Sequence, residues 1–284
     1  MRPIWGGTIE REFFTTSDII KKFEGIGRHV PTEIKGYMVG GGAMSLRGDK
    51  EVTKDVDLVF ANEDEATVFY RALRRESFSS QNELEDAYVD IKAFAIMRDP
   101  SMFWVDIFVE RVAGWFYLSD SVKSRAEVWG SFGKFTLLLC SREDIFLSKS
   151  VTERDRDLED MATLYRRGVD SEIIMNECNV QTINSGNIWH LYLETKLGEM
   201  EKVNDFSVPW RSELYEAGCR ILLEKEIPDL LAKGPATVQL IIDAYGADEK
   251  TTREVLSRLE EEGKVEVDRR KRPYEYSLPR VQVH

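Results

Sequence analysis

The chain has 284 residues, 42% of them hydrophobic and 32% charged, with a formal net charge of −12. That is apolar mass enough for two or three domains with real cores, and its acidity argues against a broad nucleic-acid face, so any such contact has to be local. Three scattered cysteines (Cys140, Cys178, Cys219) and three dispersed histidines (His29, His190, His284) argue against a disulfide framework or a zinc site, and no apolar run nears the eighteen or so residues of a membrane span. Without a signal-like apolar segment at residues 1–10, the expectation is a cytoplasmic protein with no membrane partner.

In chain order, "SDIIKKFEGIG" (17–27) predicts a short amphipathic helix capped by Ser17 and ended by Gly25 and Gly27. "EIKGYMVGG" (33–41) predicts a strand running into glycines, "VDLVF" (56–60) a second strand, and "EDEATVFYRALRRE" (63–76) a helix. Two more strands are expected at "AYVDIKAFAIM" (87–97) and "FWVDIFVER" (103–111), with a turn at "RDPSM". The aromatics Trp104, Phe108, Trp115, Phe116 and Tyr117 read as core rather than as a base-stacking platform. From residue 143 to 232 the pattern is long and helical, and Gly234-Pro235 is a boundary. Residues 236–279 then read as helix, tight turn, helix and hairpin, the grammar of a winged helix-turn-helix, with Val255, Leu256 and Leu259 facing Val238, Leu240, Ile241 and Ile242.

The stretch "MVGGGAMSLRGDKEVTKDVDLVF" (38–60) carries the chemistry. In a strand, residues two apart share a face, so Asp55 and Asp57 project together. Two carboxylates at about 4 Å repel by roughly 4 kcal/mol at an effective dielectric of 20, and a divalent cation relieves that. Magnesium or manganese suits carboxylate oxygen and leaves positions for phosphate and water. A third acid embedded in an apolar strand, Asp106 in "FWVDIFV", completes a two-ion set; Asp90 in "AYVDIKAF" is the rival. Gly40, Gly41 and Gly42 end their strand where a helix begins, exposing backbone N–H groups that can donate to phosphate oxygens, and Arg47 follows close by, facing either the triphosphate or an internal acid. The spacing is neither a Walker A loop nor a Rossmann fingerprint.

Strand, glycine pair, short helix, Asp-x-Asp and a later lone strand Asp resemble the DNA-polymerase-β-type nucleotidyltransferase superfamily. "GGGAMSLRGDKEVTKDVDLVF" is especially similar to AbiE-type toxin nucleotidyltransferases and their uncharacterised relatives. A second block, "REDIFLSKSVTERDRDLEDMATL" (142–164), matches their lysine-bearing helix and arginine-aspartate-rich turn through Lys149, Arg154, Asp157 and Asp160. The likeness spans residues 35–165; the serine usual after the glycine pair is replaced by Gly42 and Ala43. The likeness implies a nucleotidyltransferase core with a mixed sheet (30–140); with the pattern read along the rest of the chain, the expectation is an α+β fold with an N-terminal helical segment (1–29), a helical domain (141–233) and a C-terminal winged helix (234–284).

The implied activity is metal-dependent transfer of a nucleotidyl group from an NTP to a hydroxyl on RNA (tRNA being the natural candidate) or on protein. Asp55, Asp57 and Asp106 are the expected catalytic metal ligands. Gly41, Gly42, Arg47, Lys149, Arg154 and Asp157 are the expected nucleotide contacts. An antitoxin or a second copy are the expected protein partners. Arg253, Arg258, Arg269, Arg270, Lys271 and Arg272 are the candidate nucleic-acid contacts, although residues 234–284 hold nine Lys/Arg against ten Asp/Glu. Two rival readings are a DNA-binding regulator with a nucleotide-sensing or inactive core, and a docking scaffold without catalysis.

Overall fold

The structure, a computed structural model, describes residues 12–81, 92–152 and 155–279. Helix α1 (Thr16–Gly27) starts earlier than its apolar periodicity predicts. Thr15, not Ser17, is the cap, because Thr15 and Asp18 satisfy one another's backbone N–H in a capping box. Then come β1 (Ile34–Val39), α2 (Gly40–Leu46), β2 (Asp55–Phe60), α3 (Glu63–Arg75), β3 (Ser79–Ser80), β4 (Ala95–Arg98) and β5 (Trp104–Val109). Of the strand expected over 87–97, only Ala95–Met97 lies in β4, and residues up to 91, with Asp90, lie outside the described residues. The turn before β5 is built on Asp99, which accepts the N–H groups of Ser101 (2.8 Å) and Phe103 (2.9 Å).

The chain continues through β6 (Arg111–Val112), β7 (Phe116–Tyr117), α4 (Asp120–Arg125), β8 (Glu127–Phe132) and β9 (Phe135–Leu139). Seven strands form one mixed sheet in the order β3-β4-β5-β2-β1-β9-β8. Within it β1 is antiparallel to β2 and parallel to β9, and β2 is parallel to β5. Alternation along β2 sends Val56, Leu58 and Phe60 to one face and Asp55, Asp57 and Val59 to the other. On the apolar face Phe60 packs on Phe69 of α3 (5.2 Å between centroids), Phe69 on Phe135, and Phe135 on Phe23 of α1. Each of these four rings is fully buried, so α1 belongs to the sheet's core rather than to a separate N-terminal segment. Trp104, Phe108 and Phe116 are likewise core, as expected, whereas Tyr117 is half-buried and Trp115, also expected there, is exposed.

Helices α5 (Arg142–Ser150), α6 (Asp155–Arg167), α7 (Ser171–Ser185), α8 (Trp189–Asn204) and α9 (Arg211–Leu231) follow, then α10 (Val238–Tyr245), α11 (Glu249–Glu261) and the antiparallel pair β10 (Glu266–Asp268) and β11 (Glu275–Ser277). The chain divides into two compact units. One holds the residues up to Asn187 with Glu199–Asp205; the other holds Ile188–Gly198 and the residues from Phe206 on. The borders expected at 140/141 and 233/234 therefore do not coincide with this division. A buried ion network explains the first difference. Arg125 of α4 donates to Asp144 of α5 (2.6 Å) and to Glu177 of α7 (2.6 Å), and both acids are fully buried, which keeps α5 and α7 with the sheet.

The second unit has its own core. Cys219, Leu223, Ile227 and Leu231 of α9 pack with Val238, Ile241, Val255, Leu256, Leu259, Val265 and Tyr276. So α9 belongs with the terminal helices, and Leu240, expected in that core, is instead 47% exposed. Caps set the helix starts here: Thr237 accepts the N–H of Leu240 and Asp248 that of Thr251 (2.9 Å). A bridge between Ala236 and Tyr276 adds a third extended segment to the hairpin. No helix among the described residues is long and apolar enough to cross a membrane.

Candidate active site

The strand register gathers the acids. Asp57 on β2 lies directly beside Asp106 on the parallel neighbour β5, and Asp55 stands two residues along the same face of β2. Parallel partners in register point the same way, so three carboxylates from two strands share one patch of the sheet. From the other side, Val39, the last residue of β1, is the antiparallel partner of Asp57. Gly40 therefore turns the chain immediately next to that carboxylate.

That turn needs glycine. Gly40 has φ +66°, and a Cβ there would overlap Asp57, standing 3.2 Å from its Cγ and closer still to Oδ2. At Gly41 a Cβ would stand 3.0 Å from Thr53 Oγ1. Gly42 differs: its Cβ would press into Val56 (2.9 Å) and the Met38 sulfur (3.1 Å). Gly42 is thus the close-packing residue that seats α2 on the apolar layer. Gly42, expected as a nucleotide contact, is not among the lining residues of the cleft, whereas Gly40 and Gly41 are. No side chain caps the first turn of α2.

A cleft of about 560 Å³ opens over the acids, lined among others by Gly40, Gly41, Thr53, Asp55, Asp57, Asp106, Ser148, Lys149, Thr152 and Asp157. The lysine expected there, Lys149, is buried near the end of α5 and bonded to Asp157 (2.8 Å) and Asp160 (2.7 Å) of α6. Thr152 donates to the second oxygen of Asp157 (2.7 Å), and Lys50 reaches Asp160 (2.9 Å). The ammonium is held at the cleft wall by two carboxylates that α6 presents three residues apart, on one helix face. Ser141 caps α5 by accepting the N–H of Asp144. Burial pushes the Asp144 carboxyl up, against the pull of Arg125, and this anchored first turn fixes where Lys149 emerges.

Arg47 does not reach the cleft. It caps the end of α2, and its guanidinium donates to the carbonyls of Cys140 (3.1 Å) and Leu139 (3.2 Å) and to Glu127 (3.1 Å). The carbonyls at the end of β9 need donors and the arginine is within reach, so it serves the sheet edge instead of a phosphate. Arg154 lies outside the described residues. Its neighbour Arg156 lines the cleft instead, 3.9 Å from Asp55. Sequence reasoning missed Lys50, Thr53 and Arg156. Only Thr53 carried a signal, through its place just ahead of the acid pair.

The donor set suits a hard divalent cation: carboxylate oxygens on one face, open to a cleft, beside bare backbone N–H groups. In the conformation described, however, no group of three or more His, Cys, Asp or Glu side chains among the described residues is gathered closely enough to grip a metal. The backbone register sets Asp57 beside Asp106 and Asp55 on the same face of β2.

The candidate nucleic-acid contacts of the second unit are occupied within it. Arg253 pairs with Glu249 (2.7 Å), Arg258 with Glu224, Arg269 with Glu260 (2.8 Å), Arg270 with Asp268 (2.9 Å) and Lys271 with Glu275. Arg272 donates to the Arg269 and Lys271 carbonyls and lies over the Tyr274 ring. Each expected phosphate contact thus already has a partner, five of them an acid. No family model and no curated protein matches the chain.

Proposed function

We propose that the chain is a nucleotidyltransferase that moves an NMP group from an NTP to a hydroxyl on RNA or protein, as its resemblance to the polymerase-β-type and AbiE-like enzymes implies. One observation carries this reading: Asp57 and Asp106 stand side by side in register, with Asp55 on the same face and Gly40 against Asp57, in a cleft that also holds Lys149. A magnesium or manganese ion held by the three carboxylates would supply charge neutralisation at the α-phosphate and at the departing diphosphate. Gly40 and Gly41 offer N–H groups to the phosphates, and Lys149 adds positive charge beside them. Asp106 would hold the ion that lowers the acceptor hydroxyl's pKa, so that its proton leaves as the oxygen attacks. The acceptor oxygen then bonds to the α-phosphorus as the bond to diphosphate breaks.

The two helices and hairpin of the second unit are read here as a winged helix. With its cations paired internally, the module is a poorer DNA binder than its shape suggests, which favours the enzyme over the regulator. The test is a screen of four labelled NTPs, with Mg²⁺ or Mn²⁺, against total RNA and total protein. Incorporation that Asp57→Asn abolishes supports the proposal; no incorporation with any NTP and either pool rejects it.

A further inference from the structure

At the rim of the same cleft, Phe13 presents a large aromatic ring that is 62% exposed. Its position is fixed by its neighbour. Phe14 exchanges two backbone hydrogen bonds with Thr53 (2.8 and 3.0 Å), and its own ring is buried edge-on against Phe103 (4.9 Å). In extended chain, successive side chains point opposite ways, so anchoring Phe14 inward holds Phe13 outward, over the cleft. The Lys54 ammonium lies over one face of the Phe13 ring, 4.7 Å from its centroid, and Lys54 itself lines the cleft directly before Asp55. Keeping such a ring in water is unfavourable by the hydrophobic effect, and here the backbone bridge holds it there.

Resting on the nucleotidyltransferase reading above, we infer that Phe13 and Lys54 form a nucleobase platform, with the base stacking on the ring face opposite Lys54, or displacing its ammonium, and Lys54 taking an adjoining phosphate. The chemistry follows from the parts. An aromatic face stacks any base, a cation beside it suits the negatively charged backbone that every base carries, and neither depends on base-specific hydrogen bonds. The platform therefore selects for a nucleotide over bare polyphosphate while discriminating weakly among the four bases. The base belongs either to the NTP or to the 3′ end of a single-stranded acceptor.

The test is calorimetric binding to the full chain, wild type and Phe13→Ala and Phe13→Trp variants, with three probes in Mg²⁺. These are non-hydrolysable analogues of the NTPs, inorganic triphosphate, and a short single-stranded RNA with a free 3′ end. One base–aromatic stack is worth about 1–3 kcal/mol, so Phe13→Ala is expected to weaken one base-bearing probe by about five- to 150-fold. Triphosphate binding should be unchanged, and Phe13→Trp should restore the loss. A loss confined to the NTP analogues assigns the base to the donor; one confined to the RNA assigns it to the acceptor. Equal binding of both by wild type and Phe13→Ala overturns the inference and leaves the enzyme reading standing. A loss that extends equally to triphosphate also overturns it, since that marks general distortion. A wild-type chain that binds none of the probes overturns both.

Discussion

Replacing Gly40 with alanine separates two things that glycines do, because Gly48 is a matched control. Both have positive φ, +66° and +76°, and each costs an alanine roughly 1 kcal/mol of backbone strain. They differ in surroundings: nothing lies within 4 Å of a Cβ at Gly48, whereas at Gly40 the new methyl overlaps Asp57. Relief requires either a shifted corner or a rotated Asp57, and a carboxylate rotated away from Asp106 could not share with it the ion that the proposed transfer requires. Urea unfolding should place Gly48→Ala about 1 kcal/mol below wild type, with nucleotidyl transfer intact. Gly40→Ala should lose a further ~1 kcal/mol or more to the overlap, within the range for overpacked sites, and lose transfer altogether. A Gly40→Ala protein with wild-type transfer, or a Gly48→Ala protein equally dead, would refute the reasoning.

Three further outcomes are expected. Lys149→Met leaves Asp157 and Asp160 facing each other at a buried wall without their shared cation, and should cost about 3 kcal/mol in urea unfolding as well as nucleotide affinity. Arg47→Met should lower stability by about 1–3 kcal/mol, through the stranded carbonyls of Leu139 and Cys140, yet leave nucleotide affinity by calorimetry unchanged, because the side chain points away from the cleft. Asp248→Ala should cost about 1 kcal/mol by uncapping α11. The Thr251 hydroxyl and backbone N–H hold the Asp248 carboxyl below its ordinary value of 3.8. A depressed pKa means that the stabilisation is present above pH 3.8 and is lost as pH falls through the folded-state value. The gap between wild type and Asp248→Ala should therefore close below pH 3.8, checked by urea midpoints from pH 7 to 3.

What the sequence makes legible here is what is local. Val56, Leu58 and Phe60 alternating with Asp55 and Asp57 state both the strand and its acidic face, and the apolar flanks of Asp106 do the same for β5. Register between those strands is not written in either, yet the register is what sets Asp57 beside Asp106. Strand β8 escapes notice because "EVWGSF" lacks clean alternation and carries a register shift between Val128 and Gly130. Arg47 misleads for a related reason. Its nearness in sequence to the glycines suggests phosphate, while its partners lie eighty or more residues away, on β8 and at the end of β9. Among the glycines, sequence cannot say which one lies against a carboxylate and which against a valine. The domain borders follow composition in the sequence but buried contacts in the fold, so the Arg125–Asp144–Glu177 network moves α5 and α7 to the sheet.

The proposed transfer requires the acidic face of β2 and β5 to hold a divalent cation beside the nucleotide. Electron paramagnetic resonance of Mn²⁺, titrated into the chain with a non-hydrolysable NTP, reads that directly. Wild type should take up manganese tightly in the presence of nucleotide, and Asp57→Asn and Asp106→Asn should each release it while keeping the native fold by circular dichroism. Manganese held equally by wild type and both variants, or by none of them, would contradict the account.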